Sequence, residues 1–412
     1  MAETVRVEKL LNNGHGMGRL ENGEVVFVPA ALPDERWHVS RVERRKSVLI
    51  ATSAERKRDS PVRVTPACPH NDHCGGCSLL HVARDAEIGL KVTYLKDTLR
   101  RIGGFAEVEV EAVSFPESGS RARGKFHVSP EGVVGFKGEA SDLVTTIESC
   151  QVIPESVCQL LPMLRKGSKE MDFQGDIYFA VDASGEQPSF IFRGTFREGF
   201  HAETFGAKGI RFEHRGSGST YSAGNPSVKH HWNGLSVNLN PNAFFQSNPA
   251  SWPLFWQWVR RYREHFQPKC VWDVHAGAGF LSSGLEGTTL VATEPDGTAA
   301  KELSRALGAA GFHATVLHGT AEWAIRAKAA ELAACDGALL DPPREGLSKP
   351  LRAWLREKGP RGLLYFSCDM GSFSRDLAAL KSTYELVSPI LAMNLNPGTL
   401  RLELAVLLER KA

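Results

Sequence analysis

The stretch Val271-Trp272-Asp273-Val274-His275-Ala276-Gly277-Ala278-Gly279-Phe280 reads as an apolar strand running into a glycine-rich turn and a helix. Gly277 and Gly279 let a ligand approach the backbone, and Glu294 closes the next apolar run, Val291-Ala292-Thr293. Outward from this point, strands are expected at Val271–Asp273, Leu290–Thr293, Ala314–His318, Gly337–Leu340 and Gly362–Phe366. Helical stretches at Thr298–Ala310 and Ala321–Ala334 sit between them, and an amphipathic helix opens at Ser251-Trp252-Pro253 and runs through Phe266. Strand and helix in alternation form the pattern of a doubly wound α/β sheet.

Ligands in such sheets lie outside the carboxyl ends of the strands, so the residues found there carry most weight. The turn lacks the third glycine of a dinucleotide fingerprint, and with the spacing to Glu294 this favours S-adenosylmethionine (SAM) over a nicotinamide. Asp341 opens Asp341-Pro342-Pro343-Arg344-Glu345-Gly346 at one strand end. Amine methyltransferases place an aromatic after a similar Pro-Pro; Arg344 here argues against that chemistry. Cys368 ends the run Leu364-Tyr365-Phe366-Ser367. A lone cysteine is more often a small buried hydrophobe, but this one sits where a nucleophile would. Cys158, Cys270 and Cys335 are assigned to the buried class. Glu403 interrupts the entry to an apolar terminal strand, as a solvated edge charge or a positioned base.

The N-terminal third reads differently. Short apolar runs around Val5, Val25–Val28, Trp37–Val39 and Val48–Ile50, with a hairpin signal at Glu21-Asn22-Gly23, predict a small OB-like barrel. A charge-rich linker is expected at Glu55–Pro61. Cys68, Cys74 and Cys77 follow within ten residues, with Cys150 far downstream. Thiolates are soft donors for zinc or an iron–sulfur cluster, and three clustered cysteines with a distant fourth favour the cluster. A helix is expected over His81–Ile102, with Leu90, Tyr94, Leu95 and Leu99 on one face; strands and loops follow to about 235.

The 412 residues predict two to three domains. A formal net charge of +2 leaves any nucleic-acid surface local rather than global. Without an apolar run of membrane-spanning length or an export signal, the chain is expected to be cytoplasmic, with reduced cysteines and no membrane partner.

Together these motifs resemble the SAM-dependent RNA uracil-5-methyltransferases that bear an iron–sulfur cluster. Gly14-x-Gly16-x-Gly18 and Val26-Phe27-Val28-Pro29 are similar to the RNA-binding TRAM module. The resemblance implies an α/β fold: a Rossmann-like class I methyltransferase domain at 236–412, an N-terminal OB-like TRAM β-barrel at 1–58, and a central, mostly β, iron–sulfur domain at 59–235. The helical part at about 81–105 is expected to pack with the catalytic domain. It further implies a 4Fe–4S cluster on Cys68, Cys74, Cys77 and Cys150, and SAM beside Gln246, His275, Gly277, Gly279, Phe280, Glu294 and Asp341. Cys368 becomes the nucleophile and Glu403 the base. His275, Phe280, Asp369-Met370, the segment Thr320-Ala321-Glu322 and Arg401 depart from the usual residues of the family.

The implied reaction is methylation of uracil carbon 5 in RNA, with 23S ribosomal RNA favoured over transfer RNA, by a monomer. The Cys368 thiolate adds to carbon 6 and Glu403 later removes the carbon 5 proton, so a depressed Cys368 pKa is expected. Two alternatives stand beside it: an RNA-binding protein of the same fold that has lost catalysis, and an RNA cytosine-5 methyltransferase. The second is disfavoured because Asp341–Arg344 brings no second cysteine.

Overall fold

The computed structural model describes residues 3–11, 13–139, 141–197 and 206–412. Strands β1 (Glu3–Leu10), β2 (Gly16–Arg19), β3 (Val25–Val28), β4 (Arg36–Arg45) and β5 (Val48–Arg58) close a barrel in the order β1-β2-β3-β5-β4. Inward residues Val5, Val7, Val26, Val28, Val39 and Leu49 fill it. A Cβ on Gly16 would stand 2.6 Å from Val7 Cγ1, so the β1–β2 approach requires glycine there. The linker expected at Glu55–Pro61 is strand as far as Arg58. Here β5 pairs with β4, His38 opposite Glu55 and Trp37 opposite Arg56, while β4 pairs with β1 on its other side. Residues Glu55–Arg58 are exposed and charged, which is why composition alone reads them as loop.

Helix α1 (Arg84–Thr98) ends in a wide turn, Leu99–Gly103, stopped by Gly104 at φ 65°. It starts later than expected because Val82 bridges to Arg63 instead. Its buried stripe is Glu87, Lys91, Leu95 and Thr98, with Leu90 and Tyr94 only half-buried. Strand β6 (Val110–Ser114) follows.

The central unit is a seven-stranded sheet built from β7 (Arg123–Val128), β8 (Val134–Lys137), β9 (Val144–Thr146), β10 (Gln174–Ala180), β11 (Ser189–Thr195), β12 (Gly209–His214) and β13 (Thr220–Gly224). Helix α2 (Glu155–Glu170) buries Val157, Leu161 and Leu164 in the same core as Phe126, Phe179 and Phe192 of the sheet. The hairpin of β14 (Val228–Trp232) and β15 (Leu235–Leu239) spans the boundary expected at 235/236 and packs on the C-terminal part. Trp232 meets Phe280 at 5.3 Å, and the Asn238 amide donates to Glu302 at 2.5 Å.

The C-terminal part opens with α3 (Trp252–Phe266). Then come β16 (Cys270–Asp273), β17 (Thr289–Glu294), α4 (Gly297–Ala309), β18 (Ala314–His318), α5 (Ala321–Ala327), α6 (Ala329–Ala333), β19 (Gly337–Leu340), α7 (Lys349–Lys358), β20 (Gly362–Ser367), α8 (Met370–Leu380), β21 (Tyr384–Leu386), β22 (Ile390–Asn394) and β23 (Glu403–Arg410). The helix expected over Ala321–Ala334 is two, broken at Lys328 (φ −130°, ψ 31°). The sheet order is β18-β17-β16-β19-β20-β23-β22-β6, with β21 pairing β23. Strands β16 to β20 are parallel and β23 runs antiparallel to β20. Leu339, Leu364 and Leu407 enter one core while Leu340, Tyr365 and Leu408 enter the other. Both faces are therefore covered, and the strands read as unbroken apolar runs. Among the described residues no helix is long and apolar enough to cross a membrane.

Candidate active site

The strand order reverses between β16 and β19, which is where an open α/β sheet leaves a crevice at its carboxyl edge. Asp273 ends β16, Glu294 ends β17, Asp341 follows β19 and Cys368 follows β20. Glu403 joins them from the start of antiparallel β23, and Gln246 reaches in from the segment before α3, donating to Asp341 Oδ2 at 3.4 Å.

Gly277 adopts φ 55° and a Cβ there would meet open space; at Gly279 (φ 95°) a Cβ would stand 2.6 Å from Leu303 Cδ1. The first glycine therefore leaves room beside the turn, and the second lets α4 pack closely. Glu294 accepts from the amides of Gly277 (2.9 Å) and Asp296 (2.7 Å), which fixes the turn against β17. Burial still raises its pKa, despite those two bonds. Asp273, which the sequence reading did not single out, accepts from Ser282 at 2.6 Å while its Oδ1 has no partner. Burial first, then Asp341 and Glu294, push its pKa up to about 7. His275 is held neutral by burial, at about 4, and its Nδ1 is unpartnered. The Phe280 ring lies among Trp232, Trp252, Phe255 and Trp256, so it packs in the aromatic core behind the turn.

Burial drives the Asp341 pKa up to about 7, and burial plus the Asp341 charge raise Glu403 well above the usual carboxylate range. Glu403 Oε1 has no partner. The expected depression of the Cys368 pKa is not what this site produces: burial, Glu403 and Asp341 push the thiol up to about 12, with Arg344 opposing them. Burial and the neighbouring carboxyls therefore favour the protonated forms of both the thiol and the Glu403 carboxyl. Arg344 and Arg401 stand near Cys368, and Arg121 joins them from the side of Cys77 and Cys150. Arg401 feels Arg344, Arg121 and Cys368, and Arg121 feels Arg344. Arg121, whose Nε is buried and unpartnered, carried no signal in the sequence beyond its charge.

The cysteines line a neighbouring cavity of about 330 Å³. Cys68, Cys74, Cys77 and Cys150 share its wall with Arg121, Asn396, Pro397, Thr399 and Arg401. Burial and the other thiols push Cys77 up to about 12 and raise Cys74. Among the described residues no group of three or more His, Cys, Asp or Glu side chains converges as it would around a single metal ion.

Residues 3–44 match the TRAM domain family. The chain is 29% identical to the 23S rRNA (uracil(1939)-C(5))-methyltransferase RlmD of Acidithiobacillus ferrooxidans, over 99% of this chain and 97% of that one. It is 26% identical to the 23S rRNA (uracil(747)-C(5))-methyltransferase of Pyrococcus horikoshii, over 97% and 98% of the two chains. Both alignments run over nearly the whole of each chain. Its fold matches that of a Pyrococcus abyssi tRNA (uracil-54, C5)-methyltransferase solved with S-adenosyl-L-homocysteine, with a TM-score of 0.77, 24% identity, and coverage of 98% and 99%. Against these methyltransferases the structure gathers Gln246, Gly277, Glu294, Asp341, Cys368 and Glu403 at one sheet edge, and places Phe280 behind it.

Proposed function

We propose that this protein uses SAM to methylate carbon 5 of a uracil in RNA, with Cys368 as nucleophile and Glu403 as base. The observation that carries this reading is a thiol and a carboxyl at adjoining strand ends beside a half-buried Asp341. Carbon 5 of uracil is a poor nucleophile on its own. When the Cys368 sulfur bonds to carbon 6, the ring π electrons move toward carbon 5 and oxygen 4, and the thiol proton is lost. Carbon 5 can then take the methyl group of SAM, whose sulfur would keep the pair of the broken S–C bond and leave as a neutral thioether. Glu403, once ionised, removes the carbon 5 proton; those electrons restore the ring double bond and expel the Cys368 thiolate.

The polar groups at the turn fit SAM. Asp273, Glu294 and Asp341 are buried or half-buried carboxyls bonded to neutral partners, an environment suited to a ligand with ammonium and sulfonium charges. Glu294, Gly277, Asp341 and Gln246 would hold it, and bound there it would supply the methyl group. A base paired within RNA cannot reach Cys368, so a flipped or looped-out uridine is required, with the barrel supplying further RNA contacts. Ribosomal RNA is the favoured substrate because the two sequence relatives described above are named for 23S rRNA, whereas the enzyme of like fold is named for tRNA.

Cys68, Cys74, Cys77 and Cys150 are proposed to hold a 4Fe–4S cluster. The support is that all four thiols line one cavity and that thiolates are soft donors suited to such a cluster. The test of the main reading is transfer of labelled methyl from SAM to RNA, with the product mapped as 5-methyluridine. Label in cytosine, or none with RNA bound, would replace it.

A further inference from the structure

Helix α1 carries a fully buried ion pair that the proposed chemistry does not use. Lys91 Nζ meets Glu87 Oε1 at 2.6 Å, and both side chains are 0% exposed. Burying such a pair costs desolvation on both sides, and a hydrophobic pair of the same volume often serves stability as well. The explanation lies in what the remaining protons and lone pairs reach. Lys91 donates to Asn394 Oδ1 at 2.6 Å and to the Arg401 carbonyl at 3.3 Å, so all three ammonium protons are engaged. Glu87 accepts from Asn394 Nδ2 at 3.1 Å and from the Gly398 amide at 3.0 Å, and Arg84 also bonds its Oε2.

Every partner outside α1 belongs to the connection between β22 and β23. Asn394 ends β22 and Glu403 begins β23, so the intervening loop sets the entry of the base. Gly398 sits at φ 79°, and a Cβ there would come within 2.9 Å of Leu80 Cδ2, so the loop packs tightly at this point. Arg401, beside Cys368 and Arg344, lies in the same loop.

We propose that the buried Glu87–Lys91 pair is a positioning device that fixes the 394–402 loop and thereby sets Glu403 and Arg401 relative to Cys368. The inference rests on the reading of Glu403 as base, but its first consequence is independent of that role. Satisfied at both ends, the pair ties a helix encoded some 300 residues earlier to the loop through side-chain and backbone bonds at three points.

The test uses full-length Lys91→Met and Glu87→Gln. Glu87→Gln keeps an acceptor for the Gly398 amide and serves if Lys91→Met does not fold. Hydrogen exchange of peptides covering 394–402 should be at least about tenfold faster in either folded variant, with α4 and β17 unchanged. With SAM and substrate RNA, SAM affinity should stay within about twofold. Resolution of the methylated covalent protein–RNA adduct should slow about ten- to a hundredfold, the cost of displacing a catalytic group by about an ångström. Wild-type exchange in the loop overturns the proposal. So does unchanged adduct resolution when Glu403→Gln, run in parallel, stalls as the base reading requires. If Glu403→Gln forms no adduct, the base reading falls, and loop exchange alone decides whether the pair holds the loop.

Discussion

Ser367 pairs with Leu404 across the antiparallel β20–β23 ladder, so Cys368, one residue beyond, and Glu403, one residue before, stand opposite each other where the ladder ends. Glu403 is also paired on its other side, with Met393 of β22. The proposed nucleophile and base are thus placed by backbone register, which permits no independent drift of either.

Separate losses should follow from that arrangement. Cys368→Ala is expected to abolish methyl transfer while SAM affinity stays within about twofold. Glu403→Gln should permit addition and methylation and then stall, leaving a denaturation-resistant protein–RNA complex that carries labelled methyl. Gel analysis with SAM labelled in its methyl group checks both; no complex from Glu403→Gln on a confirmed substrate would remove the base assignment.

The Cys368 thiol, held near 12 by burial and by Glu403 and Asp341, should react slowly in the free protein. Its alkylation by iodoacetamide at pH 8 is expected to be far slower than that of free cysteine, rising with pH without a plateau below about 10. Asp341→Asn removes one of the opposing charges and should speed it. Residue-resolved mass spectrometry reads these rates.

Asp341 also predicts a pH dependence of stability. Its pKa rises from 3.8 to about 7 on folding, because burial disfavours the charged form. Between those values the folded chain holds a proton that the unfolded chain has released, so its contribution to stability falls as pH climbs through the window. Asp341→Asn should raise Tm at pH 8 by a few degrees and leave it unchanged at pH 3.5. A larger gain at the acid end would reverse the sign and refute the assignment.

Glu294→Ala should weaken SAM binding by roughly 1–3 kcal/mol, the scale of a lost charged hydrogen bond. Glu294→Gln, which keeps an acceptor for the Gly277 amide, should cost less. Calorimetry compares the two; equal losses would mean that the carbonyl oxygen does not serve the turn.

Protein purified without oxygen is expected to contain iron and acid-labile sulfide, and Cys150→Ser should lower both as Cys77→Ser does. Stoichiometric zinc without sulfide would replace the cluster by a single ion.

The catalytic sheet was legible because its strands are buried on both faces and run apolar from end to end, as in Leu363–Phe366. The placement of Glu294, Asp341 and Cys368 at strand ends was legible because that is where such runs stop. What stayed hidden depends on distant partners. Lys91 and Glu87 read as the polar face of α1, since nothing local announces that Asn394 and Gly398 will satisfy them. The extent of β5 was hidden because its outer half pairs with β4 rather than packing on a core. The raised pKa of Cys368 follows first from burial and then from Glu403 and Asp341, carboxyls at other strand ends that no reading of its own neighbours supplies.

Strand β6 closes the sheet beside β22, in parallel register from Val110 with Ile390 to Ser114 with Asn394. About 275 residues separate the two in the chain. At roughly 5–20 residues per second of synthesis, β6 waits on the order of 14–55 s on the ribosome before its neighbour exists. The barrel and central sheet have all their strands long before then, whereas the sheet that carries Cys368 can be completed only at the end of translation. Removing the last strands would therefore leave β6 without a partner, and a fragment beginning at residue 236 would leave β22, still paired with β23, as the open edge of the sheet. The sheet at the proposed site is an assembly of segments from either side of the central unit, and neither makes it alone.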